Sequence, residues 1–96
     1  MYGTVARMRV KPGAEDQLMG QLREFQSLHV PGFKNSLVYH MDNDSQEYYL
    51  VVIFESKEAY WNNAKSAEQD ARYQQMVALL EGPPDWHDGE IIYSVE

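Results

Sequence analysis

The sequence predicts an α+β fold in which a four-stranded antiparallel sheet carries its helices on one face. Strand-like and helix-like patterns follow the order strand, helix, strand, strand, helix, strand. The third strand, residues 48–54, is apolar on both faces: Tyr48, Leu50, Val52 and Phe54 alternate with Tyr49, Val51 and Ile53. Because the helices of a 96-residue chain can cover only one face, we expect a second copy to cover the other.

Length and composition predict a single domain, residues 1–96. Apolar residues (44%) and charged residues (24%) are at the globular average. The chain has no cysteine, which excludes disulfides and thiol catalysis. Its three histidines, His29, His40 and His87, are too far apart for a metal-ligand motif. We therefore predict no metal site.

The charge pattern bears on the partners that the chain can bind. Fifteen acidic residues against eight basic ones give a net charge of -7, which argues against nucleic acid and anionic membranes. No apolar run approaches 18 residues, and no signal-like segment opens the sequence. These features favour a cytoplasmic protein that binds a neutral or aromatic small molecule.

The first half of the chain reads as strand, helix, strand. The first strand covers about 2–10 and is broken by Lys11-Pro12-Gly13. A helix over about 14–29 follows, with apolar side chains at helical spacing: Leu18, Leu22, Phe25 and Leu28. The second strand covers about 33–41, and the turn cluster 42–45 joins it to the third strand as a hairpin.

The second half contains a broken helix. Ser56 is a candidate N-cap for a short helix over 57–64. Ser66 with Gln69 forms a capping-box pattern that starts another helix, which Gly82 and the following prolines end.

The last strand is predicted at about 90–95, because Ile91, Tyr93 and Val95 alternate with Ile92. The preceding loop, 81–88, contains Trp86, which either anchors the loop or closes a site. The order βαββαβ, with its second helix broken, predicts a ferredoxin-like fold.

Four short motifs follow one another along nearly the whole chain: Val10-Lys11-Pro12-Gly13 with Glu15, Pro31-Gly32-Phe33, Phe54-Glu55-Ser56-Lys57-Glu58-Ala59-Tyr60 and Lys65-Ser66-Ala67. In this order and spacing the sequence resembles the antibiotic biosynthesis monooxygenase family of the dimeric α+β barrel superfamily. The resemblance implies a homodimer whose two sheets close into a barrel. It also implies a cavity in each subunit between the sheet and the broken helix.

In enzymes of that family the cavity holds a flat aromatic or quinol-like substrate, which is oxygenated without flavin, metal or haem. The resemblance therefore implies no cofactor and a lining of aromatic and neutral polar side chains. The candidate substrate-binding residues are Tyr39, Tyr60, Trp61, Arg72 and Trp86, and the candidate catalytic residues are His40, Asn63 and Tyr73. Each also has a structural interpretation: a hydrogen-bonded strand histidine, a helix-end amide, a surface arginine or packed aromatic residues.

The sequence departs from two branches of the family. The positions where the haem-degrading branch carries Asn, Trp and His fall at Ala6, Asn63 and Gln75, so haem degradation is rejected. Many quinol-oxidising relatives carry a glutamate late in the third strand, where this chain has Val52. This leaves the source of acid–base chemistry open.

The sequence is therefore compatible with three functions. The first is a cofactor-independent monooxygenase acting on a small phenolic or quinol substrate. The second is a non-catalytic dimeric barrel that binds a small hydrophobic ligand, as in a stress response. The third is an isomerase or lyase for a small carbonyl compound, with His40 as its base.

Overall fold

A computed structural model describes residues 1–95. Its elements are β1 (Tyr2–Arg9), α1 (Glu15–Ser27), β2 (Phe33–His40), β3 (Glu47–Phe54), α2 (Lys57–Ala64), α3 (Ala67–Val77) and β4 (Asp85–Glu90). The four strands form one antiparallel sheet in the order β2-β3-β1-β4. The predicted α+β, ferredoxin-like arrangement with a broken second helix is confirmed. Within residues 1–95 no helix has the length and apolar character needed to cross a bilayer.

Each of the helices α2 and α3 starts at a serine N-cap. Ser56 Oγ accepts a hydrogen bond from the Ala59 backbone N–H at 3.1 Å, and Ser66 Oγ accepts one from Gln69 at 3.1 Å. Each serine satisfies an N–H group that the first helical turn leaves without a partner. The cap at Ser66 starts a new helix, so the predicted second helix is divided into α2 and α3.

The core lies between the sheet and the helices. It is built from small and medium apolar side chains of β1, β3, α1 and α3, together with the chain segments that follow β1 and α3: Ala6, Met8, Val10, Ala14, Leu18, Tyr48, Leu50, Met76 and Leu80. On β2, Ser36 and Val38 share this face, because they pair with Val52 and Leu50. We call it the helix face of the sheet.

The fourth strand corrects the sequence prediction. It covers Asp85–Glu90, so Trp86 lies in a strand and the predicted strand 90–95 is wrong. Antiparallel pairing with β1 runs from Arg7 opposite Asp85 to Tyr2 opposite Glu90, and one further bond joins Ile91 N–H to the Met1 carbonyl. Since β1 begins at Tyr2, the more β-prone tail has no strand beside it, and Ile92 is 90% exposed. Pairing geometry outweighed β-propensity here.

The opposite side of the sheet, the outer face, is apolar in its middle. Leu37, Val51 and Val5 form a row there across β2, β3 and β1, which continues to His87 on β4. Val5 and Leu37 are 42% and 40% exposed, whereas Leu50 on the helix face is 3% exposed. No element of residues 1–95 packs over this row, and the two-sided apolar character predicted for β3 is present in the structure.

Candidate functional site

A cavity of about 370 Å³ lies between the helix face of the sheet and the three helices. Its floor is formed by strand residues, and its roof by α1, α2 and α3. Aromatic side chains make up much of the wall, including Phe25, Phe33, Tyr60, Trp61, Tyr73 and Trp86. This volume falls within the range of pockets that hold small organic molecules.

The Tyr60 side chain of the wall is held by neighbouring aromatic rings. Its ring makes edge-to-face contacts with Tyr2, Phe54 and Trp61, at centroid distances of 5.3, 5.7 and 5.2 Å. Such contacts fix the ring orientation as well as burying area. These contacts therefore restrain the position of the Tyr60 hydroxyl.

That hydroxyl donates a hydrogen bond of 2.8 Å to Asp88 Oδ1 on β4. Burial raises the pKa of Tyr60 well above its usual range, and the hydrogen bond to the Asp88 carboxylate raises it further. Tyr60 thus remains a neutral donor at physiological pH. Its proton points at Asp88.

Thr4 lies beside this pair. It is 4% exposed, and its Cα is the cross-strand partner of Asp88. Within the described residues Thr4 Oγ1 is buried without a partner of good hydrogen-bond geometry. It nevertheless lies near enough to Tyr60 to act on that hydroxyl and lower its pKa, against the larger effects of burial and Asp88. A buried hydroxyl without a full partner is a group that a ligand can satisfy. We call Thr4, Tyr60 and Asp88 the polar pole of the cavity.

Asn63 is oriented by Arg72. The Arg72 Nη2 donates to Asn63 Oδ1 at 3.2 Å, and its Nε donates to Gln69 Oε1 at 3.1 Å. The guanidinium carbon lies 5.1 Å from the centre of the Phe25 ring. Because arginine only donates, the amide oxygen of Asn63 must face it, so Arg72 leaves the NH₂ group of this cavity-lining residue unengaged.

Gln21 on α1 contributes an acceptor. Its Nε2 donates to the Gln75 carbonyl at 3.2 Å, so the orientation of the amide is fixed by an acceptor-only partner. Its Oε1 is buried and has no hydrogen-bond partner among residues 1–95. The cavity therefore offers a free acceptor on the α1 side in addition to the polar pole.

Six of the eight predicted site residues border the cavity: Tyr60, Trp61, Asn63, Arg72, Tyr73 and Trp86. His40 and Tyr39 do not. His40 lies at the far end of β2, where its ring stacks on Tyr48 at 4.3 Å and its Nε2 is 2.9 Å from the Ser45 carbonyl oxygen. Tyr39 is on the outer face and is 56% exposed.

Sequence reasoning missed Thr4, Gln21 and Asp88. Asp88 was assigned to a loop because the tail after it has the stronger strand pattern. Thr4 had a usable signal, since it is the polar member of the inward-facing series that continues with Ala6 and Met8. Within residues 1–95 no group of three or more His, Asp or Glu side chains is arranged to hold a metal ion.

Comparison with known proteins identifies structures with a similar fold and a matching family. The chain resembles an antibiotic biosynthesis monooxygenase candidate from Bordetella bronchiseptica (19% identity, 96% of this chain and 97% of that one, TM-score 0.79). It also resembles one from Chloroflexus aurantiacus J-10-fl (20%, 99% and 96%, 0.79). A third similar structure is a mutant of SnoaB, a cofactor-independent oxygenase from Streptomyces nogalater (12%, 98% and 95%, 0.81).

At these identities the similarities establish a shared fold. No curated protein sequence matches the chain significantly. The model of the family Antibiotic biosynthesis monooxygenase matches residues 1–76, which is most of the sequence. The predicted resemblance is confirmed, and the chain belongs to the antibiotic biosynthesis monooxygenase family.

Proposed function

We propose that this protein is a cofactor-independent monooxygenase that uses O₂ to oxidise a small phenolic or quinol-type aromatic molecule. The observation that carries the proposal is the cavity of about 370 Å³, walled by aromatic rings and provided with few, well-oriented polar groups. Membership of a monooxygenase family and the likeness to SnoaB support an oxygenase. The acidic surface favours an uncharged substrate.

Oxidation of such a substrate by O₂ requires few catalytic groups from the protein. A phenol or an activated ring CH₂ loses a proton, and the resulting anion passes an electron to O₂. The two radicals combine to form a peroxide, and cleavage of its O–O bond leaves a carbonyl and releases water. Overall, ring CH₂ and O₂ give ring C=O and H₂O.

The side chains of the cavity match these requirements. The aromatic walls hold a flat ring and keep water from the carbanion. The Asn63 NH₂ group, held by Arg72, donates to the oxygen on which negative charge develops. The Tyr73 ring lies 6.2 Å from that of Trp86, so the two rings form a second aromatic wall.

Oxygen uptake tests this function. The purified protein is incubated with naphthoquinols and an anthrone, in air and under argon, and uptake is compared with the spontaneous rate. We expect uptake above that rate, and Asn63→Ala should reduce it about a hundredfold because an oriented oxyanion donor is lost. Asn62→Ala is the matched control, since Asn62 is the exposed neighbour on the same helix.

Absence of uptake across the panel, together with ligand binding, would favour the non-catalytic alternative instead. That alternative is motivated by Val52, which stands where many quinol-oxidising relatives carry a glutamate. The isomerase alternative depended on His40, which lies outside the cavity, and we do not propose it.

We also propose that two copies pair through their outer faces. The apolar row Leu37, Val51 and Val5 supports this, because contiguous exposed apolar side chains commonly mark an interaction surface. Light scattering should give twice the mass of the chain. A monomer at micromolar concentration would contradict the pairing.

A further inference from the structure

One row of side chains crosses the floor of the cavity. It runs over all four strands as Ser36, Val52, Thr4 and Asp88, each paired with the next, and all four border the cavity. Among the described strand residues that line the cavity, Asp88 carries the one carboxylate. The row thus has an acid on β4 although its β3 member is Val52.

We propose that Asp88 is the proton acceptor for the aromatic substrate, with Tyr60 as the residue that positions it and Thr4 as a hydrogen-bond partner of the reacting oxygen. This inference rests on the proposed function. It adds a catalytic residue that lies outside residues 1–76, the segment that the family model matches.

Asp88 is held in place at the cavity wall by Tyr60. Tyr60 donates to Asp88 Oδ1 at 2.8 Å, and the Tyr60 ring is held by three edge-to-face contacts. One carboxylate oxygen is therefore fixed, while a carboxylate retains further lone pairs on its second oxygen. A base must lie within hydrogen-bond reach of the proton that it removes, and a fixed carboxylate at the cavity wall meets that condition.

A buried hydroxyl lies beside Asp88. Thr4 is more than nine-tenths buried, and among the described residues its Oγ1 has no partner of good hydrogen-bond geometry. A phenol oxygen placed between Thr4 and Asp88 would satisfy the threonine and direct its own proton to the carboxylate. The polar pole then binds a hydroxylated ring by that edge, while the aromatic walls hold its faces.

Two other acids border the cavity, Glu24 on α1 and Asp70 on α3. Both lie on helices of the roof, and neither lies in the row that contains the buried Thr4 hydroxyl. All three acids are exposed, so Asp88 is distinguished by its place in this row and by the hydrogen bond from Tyr60. Its exposure lets the proton that it accepts exchange with solvent.

The proton and electron balance closes with Asp88 unchanged. Its carboxylate takes the O–H proton of the phenol tautomer, the resulting anion reduces O₂, and a C–O bond forms at a ring carbon that carries hydrogen. The peroxide recovers that proton from Asp88 as a hydroperoxide. The remaining C–H proton of that carbon leaves to solvent, the O–O bond breaks to leave a carbonyl, and the departing hydroxide takes a proton from solvent to form water.

Asp88→Asn tests the assignment. The amide oxygen can still accept from Tyr60, so a purely structural role is preserved while the base is removed. We expect kcat for anthrone oxidation to fall at least a hundredfold, the usual size of general-base catalysis, with KM changing less than threefold. Asp85→Asn is the matched control: it is on the same strand but outside the cavity, and it should keep the wild-type rate.

A binding measurement separates this inference from the proposed function. A nitronaphtholate probe is titrated against each protein, and quenching of Trp61 and Trp86 fluorescence is followed. Asp88→Asn should bind the anion at least tenfold more tightly than the wild type, because a negative charge facing its oxygen is replaced by an amide. Tyr60→Phe retains the Asp88 carboxylate. Its affinity for the probe should therefore be closer to that of the wild type than the affinity of Asp88→Asn is.

The outcomes are distinct. Unchanged kcat in Asp88→Asn, or equal probe affinity in that variant and the wild type, would overturn the assignment even if the protein oxidises quinols. If the wild type oxidises none of the panel, the proposed function fails. The probe titration alone then decides whether Asp88 faces the bound ring oxygen.

Discussion

The two faces of the sheet have similar sequences but different surroundings. On β3, Leu50 and Phe54 lie under the helices and are almost completely buried, whereas Val51 and Ile53 between them remain half-exposed on the outer face. The helix face includes the cavity, the buried Thr4 hydroxyl and the Asp88 carboxylate. The outer face presents an apolar row on β2, β3 and β1. The difference shows that apolar alternation marks both faces for burial, while only the chain's own helices decide which face becomes the site.

The largest expected effect comes from placing a charge on each face in turn. Leu50→Asp should prevent folding, because a carboxylate buried among apolar side chains without a partner costs several kcal/mol. Val51→Asp should keep the fold but convert the proposed dimer to a monomer. Circular dichroism and light scattering on the two variants test both statements. Equal loss of helical signal in both would show that the two faces are alike within a single chain.

A smaller effect is expected from truncating neighbouring side chains. Phe54→Ala should reduce the free energy of unfolding by about 3–5 kcal/mol, because Phe54 is buried and makes edge-to-face contacts with Phe33 and Tyr60. Ile53→Ala removes a side chain from the outer face and should mainly weaken self-association. Denaturant unfolding at two protein concentrations separates these effects. A concentration-independent loss of similar size in both variants would contradict the comparison.

The smallest effect concerns the margin of the helix face, where Tyr48 meets α1. Burial, and then a hydrogen bond of 2.7 Å to Glu15, raise the pKa of Tyr48 from 10.0 to about 12. Because the folded state favours the neutral phenol, this contribution is fully present below about pH 10 and is lost as the pH rises through about 12. Denaturation between pH 9 and 12 should show a steeper loss of stability for the wild type than for Tyr48→Phe. The same pH dependence of stability in the wild type and in Tyr48→Phe would contradict this expectation.

Local signals were sufficient for several elements. The bounds of α2, 57–64, agree with prediction because Ser56 and the turn that follows the helix act on adjacent residues. The start of α3 agrees for the same reason, since the Ser66 cap depends only on the N–H of Gln69. The six predicted residues that border the cavity come from α2, α3 and β4, and all but Trp86 lie on the two helices that were well predicted.

The parts that were not predicted depend on pairing between distant segments. His40 and Tyr39 were candidates because strand alternation alone does not say which face a helix will cover or where along a strand a cavity opens. Asp88 was overlooked because its strand is defined by β1, about 80 residues earlier in the chain. The polar pole forms only where β1, α2 and β4 come together.

From the sequence alone follow the class of fold, the broken helix, the family and the apolar character of both sheet faces, because each rests on local spacing or caps. The tertiary structure decided that β4 ends at Glu90, that Asp88 joins Thr4 and Tyr60, and that His40 lies apart from the cavity. The physical reason is that a strand acquires its register from the partner it pairs with. Register determines which side chains share a row on the cavity floor.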